Sequence, residues 1–76
     1  MKKEEFLVAL EDILQVDDPI SENQNLDNFE EWDSLSKMAV MAYFKKTFGI
    51  ELLLNSLKEI KTPLDLIKLA GDKIND

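Results

Sequence analysis

A chain of 76 residues supports one small domain, which buries only about 60% of the surface that its unfolded form exposes. It contains no cysteine and no histidine, which excludes disulfides, thiolate chemistry, Cys/His zinc sites and Ser-His or Cys-His nucleophile pairs. Nine lysines against sixteen acids give a net charge of −7, which repels nucleic-acid phosphates, so neither an enzyme nor a DNA- or RNA-binding protein is expected.

In chain order, Met1 to Glu5 turns acidic at once and lacks the apolar stretch of about 7–15 residues that marks a secretion signal. No later run reaches membrane-spanning length, so a soluble, cytoplasmic monomer is expected. From Lys3 to Gln15, Phe6, Leu7, Leu10, Ile13 and Leu14 recur at three- and four-residue intervals, which predicts a first helix with one apolar face. Asp17-Asp18-Pro19 stops it, and a polar loop through Asn28 follows with Ile20, Leu26 and Phe29 as its apolar anchors.

A second helix begins near Ser34, where Asp33 or Ser34 can cap the free N–H groups, and ends at Phe48-Gly49-Ile50. Met38, Met41, Phe44 and Phe48, with Val40 beside them, make its apolar arc broad, which predicts cover from several neighbours. Leu53, Leu54, Leu57 and Ile60 suit a short third helix. Thr62-Pro63-Leu64-Asp65 supplies a cap, a proline at the first helical position and an acid three residues after the cap, which starts a fourth helix ending at Gly71 or Ile74. The expected fold is all-α: a small four-helix bundle over residues 1–76 with a long loop between helices 1 and 2.

Glu31-Trp32-Asp33-Ser34-Leu35-Ser36-Lys37-Met38 resembles the modification site of acyl and peptidyl carrier proteins. The acidic loop before it, the apolar run Met38 to Phe44 after it, the stop at Phe48-Gly49-Ile50-Glu51 and the tail Leu57 to Ile67 follow the same order, so the resemblance covers essentially the whole chain. It implies a carrier that is itself no catalyst, in which a phosphopantetheinyl transferase moves a 4'-phosphopantetheine arm from coenzyme A onto Ser34. Acyl-transferring or acyl-activating enzymes would then use the arm's thiol. By the same resemblance Asp33 meets a basic group of the transferase and Leu35 makes an apolar contact beside the modified serine. Helix cap and core leucine are the simpler roles that residue chemistry allows these two.

Trp32 either closes the loop over the core or joins the docking surface. Met38, Met41 and Phe44, with Leu57 and Ile60 facing them, are candidates to line an acyl cavity, though the same residues also make an ordinary core. The pattern departs from fatty-acid carriers at the second helix, which in those proteins is acidic. Here it shows Lys37, Lys45 and Lys46, and no acid lies between Asp33 and Glu51. Residues 1–33 carry a net −9 and residues 34–76 a net +2. Lys37, Met38, Lys45 and Lys46 are therefore expected to dock a partner other than the usual basic patches, as in a specialised lipid, glycan or aminoacyl pathway. An aminoacyl or peptidyl carrier, and an unmodified helical interaction domain, are the alternatives.

Overall fold

A computed structural model describes residues 1–75; Asp76, the last residue of the expected domain, lies outside the described residues. The helices are α1 (Lys3–Leu14), α2 (Ser34–Phe48), α3 (Leu54–Lys58) and α4 (Pro63–Leu69), with 3₁₀ turns at Leu26–Asn28 and Gly71–Lys73. Among the described residues there is no strand, and the all-α bundle is as expected.

Each helix end has a local cause. The Lys2 N–H donates to Glu5 Oε1 at 2.9 Å at the start of α1. Its end turns through Gln15 at φ 57°, ψ 42°, a left-handed conformation uncommon outside glycine. Helix α2 ends at Gly49 (φ 72°), where the N–H of Ile50 reaches back to the Phe44 carbonyl at 3.2 Å. Helix α4 stops at Leu69, short of both expected ends. Gly71, at φ 61°, then redirects the chain into the 3₁₀ turn that brings the buried Ile74 onto the core.

One core joins all four helices. Phe6, Leu10 and Leu14 of α1 pack with Val40 and Phe44 of α2, Leu57 of α3, and Leu66 and Ile67 of α4. Phe6 meets Phe44 edge-on at 5.9 Å, and Phe44 meets Phe48 at 5.1 Å, tying α1 to the middle of α2.

The long loop is part of this core. Ile20, Leu26 and Trp32 are buried and Phe29 is half-buried. Backbone bonds stitch the loop to the α3–α4 junction: Leu26 N–H to the Lys61 carbonyl at 2.8 Å, and Leu64 N–H to the Glu22 carbonyl at 2.9 Å. The loop thereby holds Trp32 in place and fixes where α2 begins.

The expected apolar arc of α2 needs correction. The buried positions are Ser36, Val40 and Phe44, with Met41, Tyr43 and Phe48 half-buried, whereas Met38 faces solvent. Neighbours cover one side of α2 only. In α3, Leu57 is buried but Leu54 is exposed, as is Leu53 just before the helix.

Candidate functional site

The head of α2 is built by Trp32, Asp33 and Ser36, each with a different duty. Trp32 is buried, with its N–H donated to the Phe29 carbonyl at 3.1 Å, so packing is its role. Asp33 is the N-cap: its Oδ1 accepts the Ser36 N–H at 3.0 Å, and its carbonyl accepts the Lys37 N–H at 2.9 Å. Ser36 closes the reciprocal half, its Oγ accepting the Asp33 N–H at 2.9 Å and donating to the Asp33 carbonyl at 3.0 Å.

Ser34 lies between these partners, at the first helical position, and its side chain is exposed. Among the described residues its hydroxyl makes no hydrogen bond, because the cap is completed by Asp33 and Ser36. The same arrangement leaves the N–H groups of Ser34 and Leu35 without intrahelical partners at the positive end of a 15-residue helix. A nucleophilic oxygen is presented to solvent there, and an anion formed on it would face free N–H donors.

The other expected site residues separate by depth. Leu35 is exposed, which excludes the core role that its chemistry allowed. Lys37 is half-buried, with its Nζ 5.5 Å from the centre of the Trp32 ring, a cation–π contact that braces the cap. Lys45 and Lys46 lie exposed in the last turn of α2, Lys45 reaching Glu51 Oε1 at 3.3 Å.

Of the acyl-cavity candidates, Phe44 and Leu57 are fully buried and Ile60 nearly so, all in the common core, while Met38 is outside it. Met41 is half-buried and lines a surface cleft of about 300 Å³ with Ala42, Lys45, Glu51, Leu52 and Leu53. A second cleft, of about 320 Å³, adjoins the cap between the end of α1 and the start of α2, with Ile13, Gln15, Glu31, Asp33, Leu35 and Ala39 in its walls. Ser36 was not among the site residues expected from the sequence, where it figured only within the motif. The signal was the spacing of two capping residues, Asp33 and Ser36, three apart.

A small helical bundle that keeps one serine hydroxyl free at a helix head has the architecture of a carrier domain. A family model of the phosphopantetheine attachment site matches residues 4–70, and the chain belongs to that family. No curated protein and no solved structure matches it. The family's prosthetic group is 4'-phosphopantetheine, and the role it supports is that of a phosphopantetheine carrier, modified by a phosphopantetheinyl transferase. The head of α2 suits that group, since it offers an unengaged hydroxyl together with N–H donors for the phosphate. Among the described residues no helix is long and apolar enough to cross a membrane.

Proposed function

We propose that Ser34 is the attachment point, and that the chain carries acyl intermediates for a specialised lipid or secondary pathway in the cytoplasm. The carrying observation is the capping box of Asp33 and Ser36, which satisfies the helix start without the Ser34 hydroxyl.

In the loading step the Ser34 oxygen bonds to the phosphorus of coenzyme A's pantetheine phosphate. The bond from that phosphorus to the bridging oxygen breaks, adenosine 3',5'-bisphosphate leaves, and the hydroxyl proton passes to the transferase. When bound, the arm supplies a terminal thiol on which an acyl group is held as a thioester. The protein's own residues hold the oxygen out, keep it at the positive pole of α2, and set free N–H groups beside the new phosphate. That pole is worth about 0.3–1 kcal/mol to an exposed anion. Asp33 spends one carboxylate oxygen on the cap, and its other oxygen is the contact we assign to a basic group of the transferase.

The test is intact mass after incubation with coenzyme A, Mg²⁺ and a broad-specificity transferase. Wild type should gain one phosphopantetheine and Ser34→Ala none; an unshifted wild type would refute the assignment. An aminoacyl or peptidyl cargo is the second reading, favoured by an α2 that carries lysines and no acid.

A further inference from the structure

The core is packed shut behind the head of α2. Phe44 and Leu57 are fully buried, and Phe44 meets Phe6 edge-on at 5.9 Å and Phe48 at 5.1 Å, so a chain entering there would have to displace aromatic packing. The cleft bounded by Met41 begins seven positions after Ser34, roughly 10 Å along α2 at about 1.5 Å per residue. The cleft of about 320 Å³ between the end of α1 and the start of α2 differs from both, because Asp33 and Leu35, the two chain neighbours of Ser34, stand in its walls. Its volume lies at the small end of the range for small-molecule pockets, roughly 300–1,000 Å³.

The walls divide by chemistry. Ile13, Leu35 and Ala39 form an apolar side, with Leu35 77% exposed, while Gln15 and Glu31 form a polar rim. Gln15 ends α1 in the left-handed conformation, where a glycine would sit without strain, and its exposed amide enters none of the hydrogen bonds among the described residues. A strained residue with an unengaged amide at the edge of a cleft points to a use for that amide. Asp33 spends Oδ1 on the Ser36 N–H and keeps its other oxygen, free once a transferase has left.

We infer that this cleft is the resting seat of the arm's own pantetheine portion, on the α1 side of α2. The inference rests on Ser34 as attachment point. Beyond its phosphate, which stays at the positive pole of α2, pantetheine is uncharged, so carboxylates at the rim do not repel it. The carbon bearing two methyl groups comes first and meets Leu35 and Ala39, taking part of the exposed leucine out of water. The amides follow: Gln15 donates to a carbonyl, and Glu31 and Asp33 accept from N–H and O–H groups. Attachment makes this binding intramolecular, at an effective concentration on the order of millimolar for a short flexible tether, so weak contacts suffice.

Two-dimensional nitrogen-15 NMR of the arm-bearing and arm-free protein reads the seat directly. The amide resonances of Ile13, Leu14 and Gln15, far from Ser34 in sequence, should shift on attachment, and the arm's methyl protons should give nuclear Overhauser contacts to Ile13 and Ala39. Ala39→Trp, which fills the cleft, should erase the α1 shifts and leave those of Ser34 and Leu35; Ala39→Leu serves if the tryptophan disturbs the fold. Gln15→Gly relieves the backbone, so it should hold or raise stability in urea titrations and still reduce the α1 shifts about twofold or more, as loss of one hydrogen bond requires. A purely structural role for Gln15 would not move these two readouts apart.

A wild type that gains no arm by intact mass overturns both the Ser34 assignment and the seat. An armed protein whose α1 amides stay unmoved, or whose methyl contacts run to Met41 and Leu53, leaves Ser34 standing and overturns the seat alone. Shifts in α1 that persist unchanged in Ala39→Trp overturn it as well, since they would arise from a change in the helix and not from an occupant of the cleft.

Discussion

Helices α2 and α4 start with the same device and put it to different uses. Each opens with a capping box, Asp33 with Ser36 in one and Thr62 with Asp65 in the other. In α4 the first helical position is Pro63, buried, with no N–H to satisfy and no oxygen to offer. Its third position is Asp65, whose Oδ2 accepts the N–H groups of Lys61 at 3.0 Å and Thr62 at 3.2 Å. The positive pole of α4 is thus already filled by a carboxylate. In α2 the third position is the neutral Ser36, and the first is a serine outside the hydrogen-bond network. The comparison teaches that a cap can be closed by the neighbours of a residue, leaving that residue free for chemistry.

Substitutions at the two helix starts separate these roles, and the largest effect is expected at Ser34. Ser34→Ala should abolish phosphopantetheine addition by mass, yet change the unfolding free energy from urea titration by less than about 0.5 kcal/mol, because the hydroxyl supports no structure. A large loss of stability would show that the serine belongs to the cap after all.

Asp33→Ala should cost about 1 kcal/mol and slow modification, while Asp33→Asn keeps the cap and removes the charge. Stability close to wild type with slower modification in Asp33→Asn would assign the carboxylate to transferase contact. Modification at the wild-type rate would leave it a cap alone. Thr62→Ala should cost a similar ~1 kcal/mol in chemical denaturation with no change in modification kinetics.

The smallest effect is a dependence on pH. The Asp65 carboxyl is held below its usual value near 3.8, first by the Lys61 N–H, with burial opposing and Thr62 and Lys68 assisting. A group whose folded pKa is depressed contributes stability above its unfolded pKa and loses it as pH falls through the folded one. Asp65→Asn should therefore be less stable than wild type at pH 7, with the gap narrowing below about pH 4 in urea titrations. A gap that stays constant with pH would remove the carboxylate's charge from the account.

What the sequence determined by itself is local. The loop breaker Asp17-Asp18-Pro19, the stop at Gly49 and the box of Thr62, Pro63 and Asp65 act within a few residues, so each helix boundary near them was legible. Asp33-Ser34-Leu35 was legible as a helix start, and the order of elements around it carried the resemblance. Which side of α2 turns inward was not legible, because Leu35, Met38, Val40, Met41 and Phe44 spread apolar surface around much of the helix and leave no single face for periodicity to choose. Tertiary packing made the choice. Phe6 seated against Phe44 and Trp32 anchored by the loop drew Ser36 and Val40 inward, which turned Leu35 and Met38 out to solvent beside Ser34.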